Sequence, residues 1–454
     1  MSPVGHSPAT GDHTGFIDNS PLTSFHKKLT LFSSGGPFID GYVISIIGFT
    51  WASMGTTMDV SSSDKGLIAA AIMVGIFLGG LVFGWLTDRI GRHIMYIADL
   101  LALAVLSVVS FFATDVWQLI LLRFLVGMAI GADYPIATSL LAEYLPAKFR
   151  GRMLGATFVV WAIGAAVAPV VGMICTALAG DDAWRWMLAS PALFALLTLG
   201  LRLGTPESPR WLVSQGRIDE ANESIRRAFG PGYDVTSLGE PEPENKASLK
   251  TLFQGHYMKR TLFVSVFWMC QVIPMLSIYS FSFDILEKVG LSGNGAEIFL
   301  ASMFVLGGIP GLLLVDRIGR KPLLVWTFAI VAVIWGVVGV IQSSPVALVF
   351  AAICAFAFFN GAANFLQIVY PNELFPTEVR ATAVGVGTAV SRIGAAIATY
   401  AMPFALDAGI SWVLLVGAVI SVVGLGATIA WGEETNGQSL SASANQFPAS
   451  RVSA

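Results

Sequence analysis

One short charged sequence occurs twice in this chain, and the repetition constrains the fold more than any other feature. The pentapeptide D-R-I-G-R at residues 88–92 recurs at residues 316–320. A second block follows each copy in the same order, E-Y-L-P at residues 143–146 and E-L-F-P at residues 373–376. Matched blocks in one order indicate two homologous halves. Repeats of this size in an apolar chain are typical of membrane proteins built from two related bundles.

The chain is too apolar for an ordinary soluble protein. Hydrophobic residues make up 55% and charged residues 12% of the 454 residues, whereas about a quarter of a soluble domain is charged. A spanning helix needs roughly 20 consecutive apolar residues. We therefore predict an all-α membrane protein with twelve transmembrane helices in two pseudo-symmetric six-helix bundles. The predicted spans lie near residues 29–54, 66–86, 94–113, 117–142, 152–178, 186–203, 260–286, 296–315, 322–342, 346–370, 380–404 and 409–431.

Six predicted spans lie on each side of a polar stretch, and this divides the chain into five parts. Residues 204–258 form a central loop, in which the charged and amphipathic residues 218–229 predict a short interfacial helix. The N-terminal bundle is predicted at 25–203 and the C-terminal bundle at 259–432, with a disordered tail at 1–24 and a C-terminal tail at 433–454 that is predicted to be disordered from residue 436.

The placement of basic residues predicts the orientation in the membrane. Most of the 26 Lys and Arg residues lie in the tails, the central loop and the short loops on the same side as these segments. Because cytoplasmic loops are enriched in Lys and Arg, we predict that both termini are cytoplasmic. The first 24 residues lack a signal-peptide pattern. We expect an integral protein of the plasma (inner) membrane.

Motifs for catalysis, cofactors and metals are not found in the sequence. The three cysteines show no paired spacing, the five histidines lie in tails or loops, and no phosphate-binding G-x-x-x-x-G-K-[ST] is present. We therefore predict no cofactor, no metal site, no nucleic-acid partner and no enzymatic activity. The expected partners are a small-molecule substrate, protons and the lipid bilayer, and we expect a monomer.

Four motifs together resemble the major facilitator superfamily, in its branch of sugar porters and organic-ion (metabolite:proton) symporters. They are G-x-x-x-D-R-x-G-R at residues 84–92, R-x-x-x-G at 123–127, P-E-S-P-R at 206–210, and E-E-T-N-G at 433–437, which is similar to P-E-T-K-G. The resemblance runs from about residue 29 to 440 and implies alternating access between the two bundles.

The loop motifs place carboxylates and arginines together at the predicted cytoplasmic ends of spans. Such groups form bidentate pairs between helix ends, and we predict that these pairs form a cytoplasmic gate. The alternative is that the arginines only set topology and contact lipid headgroups. The predicted gate residues are Asp88, Arg89, Arg92, Glu143, Arg150, Asp316, Arg317, Arg320, Glu373, Arg380, Glu207 and Arg210.

Ionisable side chains inside predicted spans are costly, and they usually face a cavity or a partner. Four stand out in the sequence: Asp40, Arg123, Asp133 and Arg392. By helical rise, Asp40, Asp133 and Arg392 lie about 15–18 Å from the cytoplasmic boundary, near the middle of the bilayer. Arg123 lies about 15 Å further outward than Asp133 by the same estimate.

Resemblance to individual families suggests roles for three of these charges. The segment D-G-Y-V-I-S from Asp40 resembles one in proton-coupled sugar symporters, which implies that Asp40 carries the coupling proton and pairs with Arg123. The segment G-A-D-Y-P, which contains Asp133, is similar to one in proton-coupled phosphate and phosphodiester porters, which implies a second proton site. The alternative for Asp40 and Arg123 is a static ion pair that fixes helix packing.

Arg392 favours an anionic substrate. The segment S-R-I-G-A around it resembles the eleventh span of organic-anion and aromatic-acid transporters, and a guanidinium group offers a rigid fork for a carboxylate or phosphate. The alternative is an internal salt bridge to Asp284 or Asp40. Further candidate substrate ligands are the polar and aromatic side chains Tyr134, Trp268, Gln271, Tyr279, Asn360, Asn364 and Gln367. The amides of the tenth span share one helical face, where they bind a polar substrate or merely join helices.

These observations predict a proton-coupled secondary transporter that imports a small organic anion or a related polar metabolite by alternating access. Two alternatives within transport stay open. One is a sugar or polyol symporter, which the aspartate of the first span favours and the absent L-S-G-I-N core of the seventh span opposes. The other is an inorganic phosphate symporter, which the D-Y-P segment favours. A nutrient sensor with a transport fold is opposed by the short C-terminal tail.

Overall fold

The computed structural model describes residues 20–238, 252–291, 294–341, 345–375 and 377–436. Within these ranges the regular structure is helical throughout. The helices are α1 (Ser24–Ser33), α2 (Gly35–Thr57), α3 (Ser62–Ile90), α4 (Arg92–Ser110), α5 (Val116–Tyr144), α6 (Ala147–Ala179), α7 (Ala183–Ala189), α8 (Pro191–Arg202), α9 (Pro209–Ser214), α10 (Ile218–Phe229), α11 (Gly255–Ser280), α12 (Ser282–Val289), α13 (Asn294–Ile318), α14 (Arg320–Val340), α15 (Val346–Asn364), α16 (Leu366–Leu374), α17 (Thr377–Ala408) and α18 (Ile410–Trp431).

The helices cross a membrane twelve times. Eleven segments of the described chain are long and apolar enough to span, and one of them, Met153–Arg202, has 50 residues. A straight helix of that length would extend about 75 Å, more than twice the hydrocarbon thickness. This segment turns at Gly180, whose φ of +55° ends α6 before α7 begins. It therefore crosses twice, and the predicted all-α fold of twelve transmembrane helices is confirmed.

The two halves repeat the same helix pairings. In the first half α3 packs on α5, α2 on α6, and α4 on α8. The equivalent helices of the second half pair in the same way, α13 with α15, α11 with α17, and α14 with α18. The halves meet along two seams, α3 against α17 and α6 against α13. These seams are also equivalent, which gives the molecule its pseudo-twofold symmetry.

Glycine allows the closest helix pairs of the two halves to approach. A Cβ at Gly127 of α5 would lie 2.3 Å from the carbonyl oxygen of Ile72 on α3. In the second half, a Cβ at Gly361 of α15 would lie 2.2 Å from the carbonyl oxygen of Phe304 on α13. Membrane helices associate through such small residues because lipid provides no hydrophobic force between them.

The central loop begins with a helix that packs against the first half. The helix predicted at residues 218–229 is present as α10. Its last residue, Phe229, has its ring 5.5 Å from that of His26 and 6.2 Å from that of Tyr144. Residues 1–19, 239–251 and 437–454, which belong to the predicted tails and central loop, lie outside the described residues. The bounds of the five predicted parts stay predictions.

Candidate functional site

Asp40 lies at the centre of the first half, on α2, and is fully buried. Its Oδ2 accepts a hydrogen bond of 2.9 Å from the indole Nε1 of Trp161 on α6. Its Oδ1 is buried and has no hydrogen-bond partner among the described residues. Arg392 on α17 and Asp133 on α5 are the charged neighbours that act on it. Arg392 and Asp133, which were predicted at the same depth as Asp40, are therefore its charged neighbours.

Arg123 does not pair with Asp40 in this structure, so the expected ion pair is not formed. Its Nη1 instead donates to the carbonyl oxygen of Val43 at 3.2 Å. Val43 lies nearly one helical turn from Asp40 toward the C-terminal end of α2, which is the side on which helical rise places Arg123. The side chain is buried, and its Nε and Nη2 have no hydrogen-bond partner in the described part of the chain.

Asp133 is held by an arginine that the sequence analysis missed. The Nη1 of Arg202, at the end of α8, donates to Asp133 Oδ1 in a buried ion pair. The same guanidinium group lies 3.6 Å from the ring centroid of Tyr96 and donates to the Tyr96 carbonyl oxygen at 3.3 Å. A Cβ at Gly36 would lie 1.4 Å from Asp133 Oδ2, so the carboxylate occupies space that only glycine leaves free.

Asp99 on α4 completes this buried cluster and was also missed. Its Oδ2 lies 4.0 Å from Arg202 Nη1, and its Oδ1 accepts from the backbone N–H of Leu100 at 2.6 Å. The sequence did carry a signal for it, because it is the one acid in the predicted span 94–113. Arg202 carried no such signal. It lies within the last two residues of a predicted span, where basic side chains usually extend toward lipid headgroups.

Three aromatic rings lie together at the seam between the halves, next to Asp40. The rings of Trp161, Tyr279 and Phe304 are mutually 5.8 Å apart between centroids. Trp161 belongs to the first half, whereas Tyr279 on α11 and Phe304 on α13 belong to the second. Tyr279 was a predicted substrate ligand, and its hydroxyl is buried with no hydrogen-bond partner among the described residues. The rings therefore form one aromatic group across the two halves.

The predicted amides of α11, α15 and α16 bind mainly one another. Gln271 Nε2 donates to the Ala363 carbonyl oxygen at 3.3 Å, and Asn360 Nδ2 donates to the Gln271 carbonyl oxygen at 3.2 Å. Gln367 Nε2 donates to Gln271 Oε1 at 3.2 Å. Asn364 Nδ2 contacts the Met275 sulfur at 3.2 Å and, more weakly, Asn360 Oδ1 at 3.5 Å. These hydrogen bonds join the helices, and substrate binding by these residues stays a prediction.

Arg392 lies half-buried on α17, within electrostatic range of Asp40. Its Nε is buried and has no hydrogen-bond partner among the described residues. Asp284, one expected partner, binds Lys65 instead at 3.3 Å. Trp268, a predicted ligand on α11, is buried against Gly387 of α17, which lies five residues before Arg392. The side chain of Tyr134 lies outside the described residues.

A cavity opens at the α6–α13 seam, next to the aromatic rings. Asn364 is the polar side chain of its lining, and the other lining side chains are apolar. Phe304 belongs both to this lining and to the aromatic group. The lining residues are Gly155, Phe158, Val159, Ala162, Phe304, Val305, Gly308, Leu312, Gly361, Asn364 and Phe365. An apolar cavity with few polar groups is typical of small-molecule sites.

The described pairs of the predicted cytoplasmic gate lie within single halves. Arg320 binds Glu373 through two hydrogen bonds of 3.0 and 2.9 Å and lies 3.2 Å from Asp316. In the first half, Glu207 accepts from the backbone N–H of His93 at 2.9 Å. Arg89, Arg210 and Arg317 are exposed. The side chains of Asp88, Arg92, Glu143, Arg150 and Arg380 lie outside the described residues, and their role in a gate stays a prediction.

An ion pair and a hydrogen bond on the opposite face join the two halves. Lys65 at the start of α3 pairs with Asp284 on α12, beyond the end of the seventh span. Ser62 donates to Asp407 at 2.7 Å, and Lys288 lies 3.5 Å from the same carboxylate. Burial raises the pKa of Asp284, and the neighbouring Lys65 opposes this rise. The described contacts hold this face closed.

Comparison with known proteins agrees with this architecture. The family described as "Sugar (and other) transporter" matches residues 29–447. The putative metabolite transport protein YaaU of Escherichia coli is 38% identical over 94% of this chain and 97% of its own length. The niacin transporter NiaP of Acinetobacter baylyi is 28% identical, over 93% and 98%. The inward-open xylose transporter XylE from E. coli has a similar fold, with a TM-score of 0.76 at 21% identity, covering 92% of this chain and 98% of that one.

Proposed function

We propose that this chain, which belongs to the sugar (and other) transporter family, is a proton-coupled symporter for a small organic anion. The family and the fold are those of integral membrane transporters and not of enzymes. Within that class, the proposal concerns the substrate and the coupling ion. We further propose a monomer in the bacterial inner membrane with both termini cytoplasmic. The predicted domain boundaries are part of the same proposal.

The observation that carries the anionic substrate is the environment of Arg392. Its Nε is buried without a hydrogen-bond partner among the described residues, and Asp284 is occupied by Lys65. A guanidinium group cannot give up its charge, and an unsatisfied buried charge is costly. Asp40 contributes charge nearby, but its one described hydrogen bond comes from Trp161. A substrate carboxylate would satisfy the free donor of Arg392.

The coupling proton is assigned to Asp40 for a related reason. Asp133 is bound by Arg202, and this buried ion pair fixes it within the first half. Asp40 has a free carboxylate oxygen and lies beside Arg392. A carboxylate substrate and an ionised Asp40 would compete for the charge of Arg392. Protonation of Asp40 therefore favours anion binding, which is the thermodynamic link that a symporter needs. Asp133 is the second candidate for the proton.

The aromatic group suggests the class of anion. The rings of Trp161, Tyr279 and Phe304 lie next to an apolar cavity whose lining includes one of them. Aromatic faces and edges pack favourably on a flat ring. The relative NiaP is named as a niacin transporter, and niacin is a heteroaromatic carboxylate. We therefore propose a small aromatic carboxylate as the substrate. The family name supports a sugar or polyol as the alternative.

Uptake by purified protein in liposomes tests this proposal. Under an imposed inward proton gradient, aromatic carboxylates should accumulate, and sugars, polyols and phosphate should not. Arg392→Lys keeps the charge but loses the fork, so it should impair uptake nearly as much as Arg392→Ala. Loss of a charged hydrogen bond of about 1.5–3 kcal/mol predicts an apparent affinity lower by about 10- to 150-fold.

Thermal unfolding of the same proteins separates the two roles of Arg392. Both variants should unfold near the wild-type temperature when no substrate is present. Arg227→Lys, on an exposed face of α10, is the matched control and should change neither measurement. Normal affinity combined with lost stability in Arg392→Ala would make this residue a structural ion-pair member and remove the case for an anion.

A further inference from the structure

Trp161 connects three features that the proposed function treats separately: the acid, the aromatic group and the seam between the halves. Its indole N–H donates to Asp40 Oδ2 at 2.9 Å, the one hydrogen bond described for that carboxyl group. Its ring contacts Tyr279 and Phe304 of the other half. A single rigid side chain therefore contacts both the ionisable group and the second half of the transporter.

The backbone fixes Trp161 relative to Asp40. A Cβ at Gly41, the residue after Asp40, would lie 2.1 Å from the Trp161 carbonyl oxygen and 3.1 Å from its indole Cδ2. The two helices α2 and α6 are thus in direct backbone contact at this level. The indole is 4% exposed, so it has little room to turn while the rings of the other half stay in place.

We propose that Trp161 is a positioning residue that ties the protonation of Asp40 to the contact between the two halves. With the three rings in contact, the N–H group points at Asp40 and favours its carboxylate form. When Tyr279 and Phe304 move away with the second half, or when a substrate ring separates them from Trp161, the indole is released. Asp40 then takes a proton from hydronium that reaches it through the water of the opened side; an O–H bond of hydronium breaks, water is left, and an O–H bond forms on the carboxyl group.

The other charges around Asp40 do not act through the aromatic group. Arg392 and Asp133 are the charged groups that act on it, with opposite signs. Asp133 lies in the same half and stays bound to Arg202, so it does not follow the movement of the second half. Arg392 lies on α17 of the second half, but it acts on Asp40 by charge and is the substrate ligand under the proposed function. The Trp161 hydrogen bond is the contact that depends on aromatic packing across the seam.

Infrared titration of the purified protein in lipid nanodiscs tests this inference without any substrate. The carboxyl band that disappears in Asp40→Asn is assigned to Asp40, and its intensity is followed against pH. Trp161→Phe keeps a ring in the aromatic group but removes the donor. The midpoint of the Asp40 band should then move upward by about 1 pH unit, as for the loss of a hydrogen bond of roughly 1.4 kcal/mol to a charged group.

Trp335→Phe is the matched control. Trp335 is equally buried, and its Nε1 donates to the Ala352 carbonyl oxygen at 2.9 Å, in the second half. This variant should leave the midpoint unchanged. An unchanged midpoint in Trp161→Phe overturns the inference. If Trp161→Phe does not fold, Phe304→Ala, which removes a ring contact across the seam, should move the midpoint in the same direction. No movement in that variant also overturns it.

The inference rests on the proposed function for its meaning in transport, but the two fail in different experiments. A wrong substrate class shows in the uptake panel and leaves the infrared midpoint shift intact. A structural role of Trp161 lowers the unfolding temperature and the maximal uptake rate, and it leaves the midpoint where it was. A shifted midpoint in Trp161→Phe together with normal folding supports the inference.

Discussion

Gly36→Ala should break the buried charge cluster of the first half without touching a charged residue. An added Cβ would lie 1.4 Å from Asp133 Oδ2, 2.5 Å from its Cγ and 3.1 Å from Arg202 Nη2. Nonbonded carbon atoms are comfortable at about 3.5–4.0 Å, so the carboxylate must move by roughly 2 Å. Such a displacement takes it away from Arg202 Nη1, its partner in the ion pair.

The expected loss of stability follows from these contacts. Depriving one member of a buried ion pair of its partner costs about 3–5 kcal/mol. Alanine is a better helix former than glycine by about 1 kcal/mol, which offsets part of this cost. The net destabilisation should be about 2–4 kcal/mol. Gly55 lies on the same helix, and a Cβ there would meet no atom within 4 Å. Gly55→Ala is therefore the matched control and should be neutral or slightly stabilising.

Reversible unfolding in mixed detergent micelles, followed by tryptophan fluorescence, measures both variants against wild type. A double variant identifies the mechanism, because Asp133→Ala removes the carboxylate that the new methyl group would strike. Gly36→Ala should add almost no further cost in that background, as residues sharing one interaction are not additive. Equal stability of Gly36→Ala and Gly55→Ala would refute the reasoning, and so would fully additive losses in the double variant.

Two further predictions concern protons. Asp40→Asn should abolish accumulation driven by a pH gradient in liposomes while substrate exchange continues. Uphill uptake by this variant would show that another residue carries the coupling proton, and Asp133 would be the next candidate. Because burial raises the pKa of Asp284, the closed face that contains Lys65 and Asp284 binds a proton there more tightly than a solvated carboxyl group does. Acid, down to the ordinary aspartate range near about 4, should therefore favour closure through Asp284, and rising pH should weaken this contribution; Asp407, whose pKa is lowered by its hydrogen bond with Ser62, contributes in the opposite direction. Labelling of an engineered cysteine on that face should increase with pH in wild type and lose this dependence in Asp284→Asn.

The fold followed from the sequence because its causes are local or repeated. Apolar runs of spanning length are forced on any helix in lipid, and the two D-R-I-G-R blocks mark equivalent positions in two halves. The helix at residues 218–229 was visible as an amphipathic charged segment. The exact pairing of α3 with α17 and α6 with α13 was not visible, since it depends on packing between segments distant in the chain.

The site was predictable in its residues and less so in its partners. Asp40 and Arg392 were recognised as charges at one depth, and they are neighbours. Arg123 was assigned to Asp40, but it reaches Val43 because axial distance along the helices separates the two charges. Arg202 was overlooked because a basic residue at the end of a span ordinarily reaches water. Its long side chain turns inward here, where Asp133 binds it.

The glutamates beyond the sixth and twelfth spans bear on how the protein is assembled. Glu207 binds the backbone N–H at the start of α4, and Glu434 binds those of Arg320 and Lys321 at the start of α14. Each half thus carries, just after its own last span, the group that satisfies the exposed end of its third helix. As the chain leaves the ribosome, the first half already holds every partner described for Arg202 and Glu207 before residue 259 is synthesised. Its internal contacts can therefore mature in the bilayer while the second half is still being made.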